Sequence, residues 1–125
     1  MRKKILIIDD ELSIRMLLEN YLSKRNEVVT KVDGQEGIKY LEDGNMPDLI
    51  VADIQMPNMD GYEFLKQVKA SGFFSNIPMI MLSGIESSQE RVKFLRMGAD
   101  DYIVKPFNPE ELSIRIDNLI SRHSK

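Results

Sequence analysis

Three apolar tetrads, Ile5–Ile8, Leu49–Ala52 and Met79–Leu82, run without alternation into polar groups: Asp9 and Asp10, Asp53, and Ser83. A strand with one face in water alternates apolar and polar residues, so a strand apolar at every position is covered on both faces. Such strands belong to parallel sheets, whose neighbours need a crossover connection, usually a helix. The intervening segments supply it. Ile14, Leu17, Leu18, Tyr21 and Leu22 fall at i, i+3, i+4, i+7 and i+8, one face of a helix. Helical patterns also cover 35–42, 62–70 and 89–97. Strand patterns cover Lys4–Ile8, Glu27–Val32, Leu49–Ala52, Met79–Leu82 and Tyr102–Val104. The last helix carries start signals: Asn108 as N-cap, Pro109 at its first position and Glu111 three after the cap. Leu112, Ile116, Leu119 and Ile120 then form its apolar face, and Ser87 with Glu90 reads as a second capping box. Five βα units in 125 residues predict an α/β fold, one domain spanning 1–125, with a parallel five-stranded sheet between two helix layers.

In open sheets of this kind ligands bind beyond the carboxyl ends of the strands, near the topological switch point. The residues there are Asp9, Asp10, Asp53, Ser83 and Lys105. Carboxylates gathered on one rim repel one another and call for a cation. A few hard oxygen ligands with room for water suit Mg²⁺, with Mn²⁺ as the alternative ion. A lysine and a hydroxyl beside them suit a phosphoryl group, and an aspartate can accept one covalently. On this reading Asp9 and Asp10 hold the ion, Asp53 takes the phosphoryl group, and Ser83 and Lys105 bind it. Taken singly, each residue has a plainer use. Asp10 would cap a helix beginning near Leu12, Asp53 would solvate a loop, Ser83 would sit in a turn beside Gly84, and Lys105 would be a loop charge.

Composition narrows the classes. Seventeen Lys and Arg against 20 Asp and Glu give a net charge of −3, which argues against nucleic acid binding by this segment. The absence of Cys removes disulfides, zinc thiolates and thiol catalysis. No apolar run approaches a membrane span, and a cytoplasmic location is the expectation. His123, the one histidine, is expected in a solvated tail and offers no phospho-relay group.

The segments "ILIIDDE", "PDLIVADIQMPNMDGYEFL", "IPMIMLSG" and "GADDYIVKPF", in that order, carry a resemblance along essentially the whole chain. They resemble a two-component response regulator receiver domain (CheY-like). The resemblance implies a flavodoxin-like (βα)5 sandwich of strand order 2-1-3-4-5. It implies phosphorylation of Asp53 by a histidine kinase. It implies Mg²⁺ on Asp10, Asp53 and the backbone carbonyl of Gln55, with Asp9 reached through water, and a cis peptide before Pro106. It also implies a switch: on phosphorylation the Ser83 hydroxyl moves to the phosphoryl group and the Tyr102 ring turns inward, altering the face of the fourth helix, fifth strand and fifth helix. Gln55 and Ile85, each two residues beyond a site residue, would tune phosphoryl lifetime. Enzymatic activity would be limited to self-phosphorylation and dephosphorylation.

"RVKFLRMGADDYIVKPFNPEELSIRI" is similar to the winged-helix, OmpR/PhoB-type branch of that family. The similarity implies a phosphorylation-dependent homodimer in which Arg91 meets Glu111 and Asp101 meets Arg115 across subunits. Arg96 and Asp117 would form a third pair, of reversed polarity. The plainer account of Glu111 and Arg115 is an i,i+4 pair on one helix. With no further domain after "SRHSK", a stand-alone receiver that relays phosphate or docks on a partner protein stays beside a receiver governing an attached DNA-binding domain. Two other classes are an aspartyl-phosphate phosphatase or mutase, disfavoured because its nucleophile would follow the first strand, and an interaction module that no longer takes phosphate.

Overall fold

The computed structural model describes residues 2–123. Strands β1 (Lys4–Ile8), β2 (Glu27–Lys31), β3 (Leu49–Asp53), β4 (Met79–Ser83) and β5 (Asp101–Val104) alternate with helices α1 (Leu12–Leu22), α2 (Gly34–Glu42), α3 (Gly61–Ala70), α4 (Ser88–Arg96) and α5 (Pro109–His123). All strand pairs are parallel and the order is β2-β1-β3-β4-β5, as expected. Asp53 and Ser83 are the last residues of their strands, so β3 and β4 each run one residue further than the sequence pattern placed them.

The unalternating tetrads split by parity into two cores. Ile5, Ile7, Leu49, Val51, Ile80 and Leu82 pack with Leu18 and Leu22 of α1 and Leu112, Ile116, Leu119 and Ile120 of α5. Leu6, Ile8, Ile50, Ala52, Met79 and Met81 pack on the opposite face with Phe64 and Val68 of α3, Leu41 of α2 and Phe94 of α4. Each fully buried Leu, Ile or Phe contributes about 1.5–3 kcal/mol relative to exposure, so the two layers supply most of the stabilisation. The predicted α5 face is buried throughout. The α1 face is not: Leu18 and Leu22 are buried, but Leu17 is 43% exposed. α1 meets the sheet along a narrower stripe than its periodicity predicts.

Local chemistry fixes where helices begin. Asp33, Asp60 and Ser87 each accept a hydrogen bond from the N–H three residues on, at 2.9, 2.9 and 3.2 Å. Asn108 Oδ1 does the same for Glu110 and Glu111. Asp10 does not cap α1. Its N-cap is Glu11, with no side-chain cap bond, and Asp9 Oδ1 accepts from the Glu11 N–H at 2.9 Å. Of the box predicted at Ser87 and Glu90 only the serine arm forms.

Candidate functional site

A parallel sheet delivers every strand's carboxyl end to one rim. The β1→β2 and β2→β3 crossovers lie on opposite faces, so β1 and β3 bracket the switch point. Asp9 and Asp10 leave β1 there and Asp53 closes β3. One carboxylate oxygen from each of the three lies within 4.8 Å of the others. Asp9 and Asp53 are buried, while Asp10 is exposed at the mouth of the cluster. The Lys105–Pro106 peptide beyond β5 is cis, as the resemblance implied. The Lys105 ammonium stands 3.0 Å from Asp9 Oδ2, 3.1 Å from Glu11 Oε1 and 3.4 Å from Asp53 Oδ1. Asp10, Glu11, Asp53, Gln55, Gly84 and Lys105 line an open cleft of about 320 Å³.

One cation therefore already stands among these acids. Burial, then the neighbouring Asp9 carboxylate, push the Asp53 carboxyl up from 3.8 to about 6, against the pull of Lys105. Burial also raises Asp9, opposed by the Glu11 N–H and by Lys105. Burial works against the charged form of Lys105, but its close contacts with the Asp9 and Glu11 carboxylates and the field of Asp53 outweigh burial, and its pKa is raised. Lys105 is charged throughout the physiological range; the acids are under-compensated. Glu11 as a partner of Lys105 was missed by sequence reasoning, because its place behind "DD" does not show that its side chain reaches across to the loop after β5.

The donor set fits a hard divalent ion. Asp9 Oδ2 is buried and, although Lys105 lies 3.0 Å away, makes no hydrogen bond of good geometry. Asp10 and Asp53 oxygens face the same space, and Gln55 lines it. All-oxygen donors without Cys or His suit Mg²⁺ or Mn²⁺.

Ser83 reaches the rim, but its hydroxyl is engaged by α4. A hydroxyl has one proton to give. The Ser83 hydroxyl has Glu90 Oε1 at 2.8 Å and the Ile85 carbonyl at 3.1 Å, and it accepts from the Ile85 N–H at 3.0 Å. Tyr102 lies inward, 1% exposed, with its hydroxyl donating to the same Glu90 oxygen and 3.0 Å from the Ile85 carbonyl. Burial and the Glu90 contact raise the phenol pKa. The Tyr102 ring, which the resemblance has turning inward on phosphorylation, fills the space between β5 and α4, beside Phe94. Ile85 is 46% exposed and does not line the acidic cleft.

Five of the six residues expected on the output face have partners within the chain. Arg115 bonds Asp101 at 2.8 and 2.9 Å and Glu111 at 2.9 Å, so the i,i+4 pair forms as the plainer account held. Arg91 donates to the Tyr102 carbonyl at 3.1 Å and stacks its guanidinium 4.9 Å from the ring centroid. Asp117 pairs with Arg25 at 3.0 Å rather than with Arg96, which is exposed on α4. The Asp101–Arg115 contact predicted between subunits is thus also an intrachain one. His123 lies in the last turn of α5 with Nδ1 2.9 Å from the Leu119 carbonyl. No helix among the described residues is long and apolar enough to cross a membrane.

A flavodoxin-like sheet whose switch point carries three clustered carboxylates beside a lysine defines a CheY-like signalling domain. The chain matches the model of the response regulator receiver domain over residues 5–117 and belongs to that family, the receiver of a two-component response regulator. It is 44% identical over 122 residues to "Probable transcriptional regulator ycf27" of Cyanophora paradoxa, covering 97% of this chain and 49% of that one. It is 40% identical over 123 residues to the "Alkaline phosphatase synthesis transcriptional regulatory protein PhoP" of Bacillus subtilis (strain 168), covering 98% and 50%. The chain thus spans about half the length of the curated relatives it matches. Among solved structures, the CheY-like receiver domain protein from Methanospirillum hungatei JF-1 superposes with a TM-score of 0.91 at 30% identity, covering 99% and 98%.

Proposed function

We propose that Asp53 accepts a phosphoryl group from a histidine kinase and that this controls an interaction surface on α4, β5 and α5. The observation that carries the reading is the burial of Asp53 beside Asp9 at the switch point with Lys105 3.4 Å away. In the step, an Asp53 carboxylate oxygen forms a bond to phosphorus as the bond from phosphorus to the donor nitrogen breaks, and the donor imidazole leaves with the electron pair. Lys105 steadies the phosphoryl oxygens as a fixed charge, drawn off the carboxylates it now neutralises. The Ser83 hydroxyl donates to the same group after a side-chain rotation. Asp9, Asp10, Asp53 and the Gln55 carbonyl would hold Mg²⁺, which supplies charge neutralisation at the phosphoryl group when bound. The same residues would serve hydrolysis of the acyl phosphate, so catalysis stays within the chain's own phosphorylation cycle. Intact-mass measurement after acetyl phosphate and Mg²⁺ should show one phosphoryl group on the wild type. None should appear on Asp53→Asn or with chelator; incorporation by Asp53→Asn would overturn the assignment.

Relatives named as transcriptional regulators support a receiver that governs a transcriptional output, and we propose that it does so through a homodimer with an attached DNA-binding domain. Dimerisation on α4, β5 and α5 would exchange intrachain ion pairs for equivalent ones across the interface. Exposed pairs of this kind are worth about 0–1 kcal/mol each, so they would set register more than affinity. Light scattering with Mg²⁺ and beryllium fluoride should report a dimer for the wild type and a monomer for Arg115→Asp. A wild-type monomer with the mimic bound would favour a stand-alone receiver that docks on a partner.

A further inference from the structure

We propose that Glu90 is a positioning residue that holds the Ser83 hydroxyl away from Asp53 and so sets how readily Asp53 takes up a phosphoryl group; the inference rests on Asp53 being the acceptor.

Glu90 lies in the first turn of α4, three residues after the Ser87 N-cap. A glutamate there ordinarily folds back to the N-cap N–H as the second arm of a capping box. Ser87 does take the Glu90 N–H at 3.2 Å, but the Glu90 carboxylate turns the other way, into the gap between β4 and β5. One of its oxygens receives both the Ser83 hydroxyl at 2.8 Å and the Tyr102 hydroxyl. A serine proton goes to the stronger acceptor, and a carboxylate is a stronger acceptor than the Ile85 carbonyl at 3.1 Å. Ser83 cannot serve Glu90 and a phosphoryl group on Asp53 together. Uptake at Asp53 must therefore break the Ser83–Glu90 bond, and the strength of that bond is subtracted from affinity for the phosphoryl group. The same carboxylate grips Tyr102, whose carbonyl and ring hold Arg91, the next residue of α4. Glu90 thereby joins the hydroxyl at the phosphorylation site to the residues of the output face. Removing it leaves Ser83 and Tyr102 each with the Ile85 carbonyl, at 3.1 and 3.0 Å, so neither buried hydroxyl is orphaned.

The test is a double-mutant cycle on beryllium fluoride binding, titrated calorimetrically with saturating Mg²⁺ on the full chain. Glu90→Ala should bind the mimic about five- to tenfold more tightly than the wild type, the size expected for losing one competing hydrogen bond that the Ile85 carbonyl partly replaces. Glu90→Gln, which keeps a neutral acceptor of the same shape, should fall between them and carries the test where Glu90→Ala does not fold. In a Ser83→Ala background the effect of either substitution should vanish. An unchanged affinity in Glu90→Gln and Glu90→Ala overturns the latch while leaving Asp53 as acceptor. A gain that persists without Ser83 also overturns it, since Glu90 would then act by general charge or by loosening α4. A wild type that binds no mimic overturns both the latch and the acceptor assignment.

Discussion

Gly61→Ala should lower unfolding stability by about 3 kcal/mol, read as a fall in the urea midpoint at unchanged slope. Gly61 opens α3 directly against the end of β3, where Asp53 stands. A Cβ there would stand 2.5 Å from the Asp53 carbonyl oxygen and 2.7 Å from Ile54 Cα, with Met81 Cε at 3.1 Å. The first two are backbone atoms of β3 and the turn after it, and the Gly61 N–H is bound to the Ile54 carbonyl at 2.7 Å. No side-chain rotation relieves such a clash. Either α3 withdraws from the sheet, opening the packing of Phe64 and Leu65, or the end of β3 shifts and carries Asp53 with it. A domain of this size has roughly 5–15 kcal/mol in all, so the loss is a large fraction of the total. Gly72→Ala, where the added Cβ meets nothing within 4 Å, is the matched control and should be near neutral. Equal stabilities of the two variants would mean that α3 is not held as tightly against β3 as these distances require.

The site was legible in the sequence wherever its position follows from strand direction alone. Asp9, Asp10, Asp53, Ser83 and Lys105 each end or follow a strand, and parallel strands bring their ends to one rim whatever the details of the loops. The parallel sheet with a helix layer on each face followed from unbroken apolar runs and helical spacing, whereas the strand order was implied by the family resemblance. What was not legible depends on rotamers and on reach across elements. The "SSQE" segment gives the same capping signal whether the glutamate bonds its own helix start or, as here, Ser83 and Tyr102. Nothing in "DDE" says that Glu11 rather than Asp10 shares the lysine with Asp9. Asn58, at φ 68°, donates to Asp33 Oδ2 at 2.7 Å and ties the loop after β3 to the start of α2. "PNMDG" marks a turn but not this partner. The charges on α4 and α5 satisfy several pairings equally well by sequence, and only the folded geometry separates the Asp101–Arg115 contact from the Asp117–Arg25 one.

In metal-free buffer near pH 7.5, Asp53→Asn should be more stable than the wild type by on the order of 2 kcal/mol, a rise in Tm of roughly 5–10 °C. The reason is the carboxyl's displacement from 3.8 to about 6 by burial and by Asp9. A carboxyl whose pKa is raised by folding stabilises the fold when protonated. That contribution is complete below the unfolded value and is lost as pH climbs through about 6, so the wild type at neutral pH carries a buried, under-compensated charge. Asparagine keeps the shape and removes the charge. The advantage of the variant should therefore shrink as pH falls from 7 towards 4, because protonation does to Asp53 what the amide does permanently. Mg²⁺ should close the gap from the other side. It stabilises the wild type by mass action on the folded state, and it should stabilise the variant much less, since one of three clustered carboxylates is gone. Thermal unfolding of both proteins across pH 4–8, with chelator and with Mg²⁺, reads all three arms at once. If Asp53→Asn is no more stable than the wild type in chelator at pH 7.5, Lys105 alone balances the acids, and the cluster is not strained towards a second cation.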